Sequence, residues 1–287
     1  MPAPLMVLAA IASVQVGSAV ARTLFDDLGA SGITLLRLLL GGLIVAVVAR
    51  PAVRSWSLAA WRAAALLGVA MAAMNLTFYL SLRTVPLGTA VTVEFLGPLL
   101  LALVQTRRLA DLLWALLAGG GVALLGLGGG SAPVGGLALA FLAGLCWAAY
   151  IVLSARLGGL VPGTGGLAVS LAVASLLVLP FGAAGASAVV ERPELLLGGI
   201  AVAVLSSALP YGLELNALRR IPTRVFGILM SLEPAAAALA GLVVLGQRLG
   251  PVEIVALTLV TLASAGITLS RRNPSDGSVR DRRVFPN

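Results

Sequence analysis

Several residue types that carry chemistry in other proteins are missing or rare in this chain. Its 287 residues include no histidine, no lysine and one cysteine, and only 10% of them are charged. Without histidine, the chain lacks the commonest metal ligand and the commonest proton-transfer side chain near neutral pH. The single Cys146 cannot form a disulfide within the chain, so the sequence gives no sign of redox chemistry. We therefore expect neither a metal nor another cofactor.

Apolar sequence, by contrast, is abundant, since 60% of the residues are hydrophobic. A helix that spans a membrane requires about 20 mainly apolar residues. Ten such stretches are separated by short polar or Gly/Pro-rich breaks: 5–22, 31–49, 63–82, 87–106, 112–128, 135–155, 167–186, 195–217, 223–245 and 251–270. These runs are continuous rather than alternating, which predicts helices and excludes a transmembrane barrel. The sequence predicts an all-α integral membrane protein with ten transmembrane helices.

The net charge of +8 follows this topology and does not indicate nucleic-acid binding. All 19 basic residues are arginines, and 14 of them fall in cytoplasmic segments if the N-terminus is cytoplasmic. This is the positive-inside bias of membrane proteins. It predicts that both termini are cytoplasmic and that the Arg-rich tail 271–287 is a disordered end close to lipid.

The chain also contains an internal repeat. Leu82-Arg83-Thr84-Val85-Pro86 is echoed by Leu218-Arg219-Arg220-Ile221-Pro222, and Leu96-Gly97-Pro98 is echoed by Leu232-Glu233-Pro234, both at an offset of 136 residues. Five predicted spans, an odd number, separate the copies, so the second copy enters the membrane from the opposite face. We predict two inverted five-helix repeats, 1–130 and 131–270, an arrangement that recurs in secondary transporters.

The repeated prolines have predictable effects on their helices. Pro86 and Pro222 suit the first turn of a helix, where a missing N–H costs nothing. Pro98 and Pro234 are expected in helix interiors, where each favours a kink. A kink beside a glutamate would open backbone carbonyls toward a cavity, although prolines can equally serve only to set helix curvature.

Apart from charges within two residues of a span end, four ionisable residues interrupt the predicted spans: Arg37, Glu94, Glu214 and Glu233. A charge at the centre of a bilayer costs roughly 2.5–3.5 kcal/mol on insertion scales, so it usually faces a partner or a watery cavity. These residues are therefore the first candidates for a binding site. Glu214 lies close to Arg219 and Arg220, so a structural ion pair explains it equally well.

Stretches throughout the membrane region resemble one known family, the drug/metabolite transporter superfamily in its EamA-type branch, and within it the bacterial threonine/homoserine exporters. The similar stretches are Ser13-Val14-Gln15, Thr34-Leu35-Leu36-Arg37-Leu38, Met74-Asn75, Phe78-Tyr79-Leu80-Ser81, Thr84-Val85-Pro86-Leu87-Gly88, Glu94-Phe95, Gly97-Pro98, Cys146-Trp147-Ala148, Ala208-Leu209-Pro210-Tyr211, Leu213-Glu214 and Leu229-Met230-Ser231-Leu232-Glu233-Pro234. The tail after Ser270 diverges.

The resemblance implies export of small amino acids across a bacterial inner membrane, driven by the proton gradient. The residues fit this task, because Arg37 can bind a carboxylate bidentately. Glu94 or Glu233 can bind the substrate ammonium or exchange it for a proton, which would couple the two flows. Arg37 could instead form a plain bridge to one of the glutamates.

Polar and aromatic residues within the spans are further candidates. Gln15 with Ser18, Asn75 with Tyr79, and Trp147 with Tyr150 each share a helix face, and Tyr211 and Asn216 complete the set. They would wall a cavity with a few polar groups in an apolar lining. Each could instead serve only to hold helices together.

The expected partners are a small amino acid, protons and membrane lipids, with a homo-oligomer possible and nucleic acid excluded. An intramembrane enzyme is disfavoured, because the predicted spans contain no acidic pair at metal-binding spacing and no nucleophile with a base. Two alternatives stay open: an exporter of other metabolites or amphiphilic drugs, and a membrane scaffold without transport.

Overall fold

A computed structural model describes residues 1–105, 109–127, 132–218, 220–221 and 223–270, and this part of the chain contains helices and turns but no strand. The helices are α1 Ala3–Thr23, α2 Phe25–Ala49, α3 Leu58–Ser81, α4 Leu87–Glu94, α5 Leu96–Val104, α6 Leu109–Leu127, α7 Val134–Gly158, α8 Gly165–Ala186, α9 Ala188–Glu191, α10 Glu194–Ala203, α11 Leu209–Leu218, α12 Thr223–Met230, α13 Glu233–Leu245 and α14 Pro251–Ser270. A short π-helix, Val204–Ala208, joins α10 to α11. The predicted tail 271–287 lies outside the described residues.

The chain is a multi-pass helical membrane protein. Among the described residues, eight helical segments are long and apolar enough to cross a membrane. They are Ala3–Thr23, Phe25–Ala49, Leu58–Ser81, Leu87–Val104, Val134–Gly158, Gly165–Ala186, Val225–Leu245 and Pro251–Leu269. Two further apolar helices, Leu112–Leu125 and Glu194–Ala208, are shorter. Eight of the ten predicted stretches coincide with the long segments, whereas 112–128 and 195–217 overlap only the two shorter helices.

Two of the segments are interrupted by a kink, called a break below, at corresponding points of the repeat. One break falls at Phe95, between α4 and α5, and the other falls between α12 and α13. Pro98 and Pro234 lie within the membrane segments Leu87–Val104 and Val225–Leu245, in the first turn after each break. Neither proline has an N–H for the carbonyl four residues earlier, so the regular hydrogen-bond ladder is interrupted there. Pro222 lies outside the described residues.

Polar contacts between loops close one end of the bundle. Arg22 Nε donates to the Leu82 carbonyl at 2.8 Å. The Leu87 backbone N–H donates to Gln247 Oε1 at 2.9 Å, so the side chain of Gln247 caps the start of α4. An ion pair of 2.7 Å joins Arg192 to Asp27. These contacts tie the turns that precede α2, α4, α10 and α14 to one another.

Small residues allow the helices to approach closely at several crossings. A side chain at Gly32 would meet the backbone of Gly185, which lies on the opposing helix α8. A side chain at Gly97 would overlap the carbonyl of Gly144, and one at Gly144 would overlap the carbonyl of Glu94. Close backbone packing of this kind is a common means of helix association in membranes. It places the break in α4–α5 directly against α7.

Candidate functional site

A cavity of about 180 Å³ lies inside the bundle, and the breaks described above border it. Residues of α1, α2, α3, α4, α7, α11, α12, α13 and the π-helix form its wall. They are Val14, Gln15, Ser18, Arg37, Met74, Asn75, Phe78, Val91, Glu94, Trp147, Tyr150, Ser206, Pro210, Glu214, Met230 and Glu233. All four ionisable residues of the predicted spans therefore face one cavity.

A second cavity, of about 520 Å³, lies at the end of the bundle between segments 49–57 and 160–165. Among the described residues that line it, Arg50 is the only charged one. Although this cavity is larger, its described lining contains no acidic residue, so Arg50 could attract an anion but nothing there could bind a cation. The central cavity, with charges of both signs, is the candidate binding site.

Arg37 is held in the wall by contacts to two other helices. Its Nη1 donates to the Tyr79 hydroxyl at 3.0 Å, and its Nη2 donates to the Ser206 carbonyl at 3.3 Å. The guanidinium carbon also lies 5.4 Å from the centre of the Tyr79 ring, a cation–π distance. These contacts fix the direction of the guanidinium but leave it on the cavity surface.

Backbone carbonyls of the π-helix accept hydrogen bonds from side chains in the first half of the chain. Within Val204–Ala208, the Leu205 carbonyl accepts a 2.7 Å hydrogen bond from Ser13 Oγ, and the neighbouring Ser206 carbonyl accepts the bond from Arg37. A π-helix departs from the usual i→i−4 ladder, and such bulges are frequent at functional sites. Here it links α1 and α2 to the helix that carries Glu214.

The three carboxylates come from different helices. Glu94 is the last residue of α4, Glu214 lies in α11, and Glu233 is the first residue of α13. All three line the cavity together with Arg37, and Glu233 is only 7% exposed. In the described part of the chain, none of the three forms an ion pair, and no three acidic or cysteine residues are arranged to hold a metal ion.

The aromatic wall of the cavity is fixed by the contact between α7 and the break at Phe95. The Phe95 ring meets the Trp147 ring edge to face, with centroids 5.4 Å apart and an interplanar angle of 75°. Trp147 follows Gly144 by one helical turn, so the backbone contact of Gly144 with Glu94 places this aromatic side chain beside the carboxylate.

Two polar atoms in the cavity wall have no hydrogen-bond partner. Gln15 Oε1 and Ser206 Oγ are both buried and find no partner among the described residues. An unsatisfied buried polar group costs about 1–3 kcal/mol, so such groups usually find a ligand or water. By contrast, Asn75 Nδ2 donates to the Met71 carbonyl of its own helix at 2.8 Å.

The structure places nine of the twelve candidate residues on the cavity wall: Gln15, Ser18, Arg37, Asn75, Glu94, Trp147, Tyr150, Glu214 and Glu233. Tyr79 is fully buried behind Arg37 and does not line the cavity. The side chains of Tyr211 and Asn216 lie outside the described residues.

Several lining residues escaped the sequence reasoning. Met74 and Phe78 are four residues apart and flank Asn75, so the helix-face argument applied to Asn75 could have found them. Pro210 precedes Glu214 by one turn and could have been found in the same way. Ser206 could not, because its position depends on the π-helix, for which the sequence carries no signal.

Comparison with known proteins reveals close relatives along nearly the whole chain. Residues 134–269 match the model of the EamA-like transporter family. The chain is 44% identical over 277 residues to the threonine/homoserine exporter RhtA of Escherichia coli, covering 94% of this chain and 92% of the relative. It is 44% identical over 278 residues to RhtA of Salmonella typhimurium, with the same coverage. A solved crystal structure superposes with a TM-score of 0.62 at 23% identity, covering 93% of this chain and 96% of that one, which shows a shared fold.

Proposed function

Because the chain belongs to the EamA-like transporter family, we propose that it exports small amino acids of the threonine and homoserine type from the cytoplasm. The export is a secondary active process, in which protons moving inward through the same cavity drive the substrate outward. The protein resides in a bacterial inner membrane with both termini in the cytoplasm. The observation that carries this proposal is the central cavity, whose charged groups, among the described residues, are Arg37 and three carboxylates.

A zwitterionic amino acid matches these groups. Its carboxylate would bind the guanidinium of Arg37, which Tyr79 and Ser206 already hold in place. Its ammonium, on the same carbon atom, would bind Glu94 or Glu233. Gln15 and Ser206, whose buried oxygens lack partners, stand ready to accept a further hydrogen bond after a small side-chain movement. A substrate hydroxyl supplies such a donor, which favours threonine and homoserine over apolar amino acids.

Proton coupling would follow from the same carboxylates. A glutamate in a cavity removed from water favours its neutral form until a cation is present. The substrate ammonium is such a cation, and its arrival would release the proton. In the described residues no fixed cation forms an ion pair with Glu94, Glu214 or Glu233, so each is available for this exchange.

Helix contacts support a division into ten membrane helices arranged as two inverted repeats, 1–130 and 131–270, followed by the tail 271–287. If each of the first five membrane segments corresponds to the segment five places later, every helix contact should have a symmetry-related counterpart. The contact of α3 with α7 corresponds to that of α11 with α1. The contact of α4 with α7 corresponds to those of α12 and α13 with α1, and the contact of α3 with α8 corresponds to that of α10 with α2. The contacts of α2 with α8, α4 with α13, and α6 with α14 map onto themselves. Alternating access would arise when the two repeats exchange conformations.

The size of the cavity disfavours amphiphilic drugs as the main cargo. At about 180 Å³ it is smaller than the roughly 300–1,000 Å³ of pockets for drug-sized ligands. A small metabolite that lacks one of the two charges would leave either Arg37 or a carboxylate unpaired. An amino acid leaves neither end unmatched.

The proposal is tested with purified full-length protein in proteoliposomes. We expect efflux of threonine and homoserine to accelerate under an inward proton gradient, and Glu94→Gln or Glu233→Gln to abolish this acceleration. If both variants retain full gradient-driven efflux, the coupling assignment is wrong. If no amino acid in a panel moves with or without the gradient, the export proposal itself fails. A cell growth assay with toxic threonine levels against amphiphilic cations separates the two classes of cargo.

A further inference from the structure

The central cavity contains more negative groups than a neutral amino acid requires. Three carboxylates and one guanidinium line it, and no other charged residue of the described part of the chain does. With all four ionised, the cavity would hold two uncompensated negative charges. A zwitterion has no net charge, so it would leave this excess unchanged.

The charged groups of the cavity divide between the two halves of the chain. Arg37 and Glu94 come from α2 and α4, in the first half. Glu214 and Glu233 approach from α11 and α13, on the side contributed by the second half of the chain.

The carboxylates do not converge on one point. Among the described residues, no three acidic side chains have the spacing of a metal site, so a single divalent ion does not account for them. Separated carboxylates suit separate monovalent cations, because each can pair with its own ammonium group. A substrate with two ammonium groups would satisfy both ends.

On the basis of the proposed export function, we propose that the cavity also accepts amino acids with a second ammonium group on a short side chain, and that Glu214 together with Glu233 binds this group. The α-carboxylate and α-ammonium occupy the end formed by Arg37 and Glu94. The side chain then extends toward α11 and α13, and its ammonium replaces a proton at that end. The length of the substrate is limited by the cavity, which favours two methylene groups over four.

Two amino acids of nearly equal shape make the test sharp. L-2,4-diaminobutyrate and L-homoserine share one carbon skeleton and differ in having an ammonium or a hydroxyl group at the end of the side chain. Uptake of each labelled compound is measured by counterflow in proteoliposomes that contain the full-length protein. We expect both to be transported and each to compete with the other.

The role of Glu214 is read from the ratio of the two transport rates. Glu214→Gln keeps the shape but removes the charge, so the ratio of diaminobutyrate to homoserine transport should fall at least about tenfold, as expected for loss of one partner of a buried charge pair. Glu214→Asp should restore the ratio toward that of the unmodified protein. Asp26→Asn, which removes an exposed carboxylate that does not line the cavity, should leave the ratio unchanged. Thermal melting confirms that each variant is folded.

Each result decides between the two proposals. Transport of homoserine without transport of, or competition by, diaminobutyrate overturns this inference and leaves amino-acid export standing, with protons filling the surplus carboxylates. Transport of neither compound overturns both. An unchanged ratio in Glu214→Gln shows that the second ammonium does not bind at this residue.

Discussion

Tyr79 holds Arg37 from behind, by both its hydroxyl group and its ring. The hydroxyl accepts a 3.0 Å hydrogen bond from Nη1, and the ring lies 5.4 Å from the guanidinium carbon. Tyr79 is fully buried, and its ring also contacts the rings of Phe25 and Phe78 at 6.0 and 5.9 Å. It is therefore a positioning residue, since it acts on cargo only through Arg37.

Tyr79→Phe removes the hydroxyl and keeps the ring. The guanidinium then loses one of its two hydrogen-bond partners, and we expect the KM for homoserine to rise about tenfold, as is typical for a hydrogen bond to a charged group. The maximal rate should change less than threefold, which counterflow at several substrate concentrations will show.

Arg37→Lys serves as the comparison for that variant. Lysine keeps the charge but cannot bind a carboxylate through two parallel hydrogen bonds, so its loss of affinity should exceed that of Tyr79→Phe. Equal KM values in all three proteins would contradict the assignment of Arg37 as the carboxylate-binding residue.

Gly144→Ala should destabilise the protein by about 1–3 kcal/mol, because the new methyl group would overlap the backbone of Glu94 and neither helix can shift freely. The same helix provides a matched control. Apart from its chain neighbours and its own helix backbone, Gly135 has no atom within 4 Å of the position where a side chain would begin, so Gly135→Ala should be neutral. Thermal melting in detergent measures both. Similar melting temperatures for the two variants would mean that the end of α4 and α7 are not in backbone contact.

Gln247 tests the cap at the start of α4. Gln247→Leu removes the acceptor for the Leu87 N–H and should cost about 1 kcal/mol, whereas Gln247→Glu keeps an acceptor and places negative charge at a helix N-terminus. We therefore expect the melting temperature to fall with leucine and to stay level or rise with glutamate. A loss with both substitutions would indicate that the amide group, rather than an acceptor oxygen, is what α4 requires.

The ion pair of Asp27 with Arg192 joins the start of α2 to the turn before α10. Its side chains are 36% and 47% exposed, so we expect a contribution of only about 0.2–1 kcal/mol that weakens as salt is added. Asp27→Arg alone should destabilise the protein through repulsion, and adding Arg192→Asp should recover most of the loss. Failure of the second change to rescue the first would show that the pair does not form in the membrane.

The sequence was sufficient to predict the helices, because apolar length alone determines where a chain can cross a bilayer. It also identified Arg37 and the three glutamates, since charge is costly in that setting. The same reasoning placed Tyr79 beside Asn75 on one helix face, but only Asn75 reaches the cavity. A spacing of four residues leaves open which of two side chains lies nearer a neighbouring helix, and that depends on how α3 packs against α2.

The breaks and the π-helix were harder to anticipate. Proline indicates an interrupted helix, but whether α4 bends or stops at Glu94 depends on the approach of Gly144 from another helix. The π-helix depends on Ser13 and Arg37, which bind carbonyls more than 160 residues away in the chain. Such tertiary contacts leave no periodic pattern in the sequence of Val204–Ala208.

The touching backbones at Gly97 and Gly144 also have a mechanical consequence. Because no side chains separate them, α5 and α7 are in direct backbone contact and cannot easily shift relative to each other. We expect the wall that contains Glu94 and Trp147 to move as one rigid body. The flexible joints of the transport cycle should then be sought in the opposite wall, where the π-helix interrupts the regular ladder between α10 and α11.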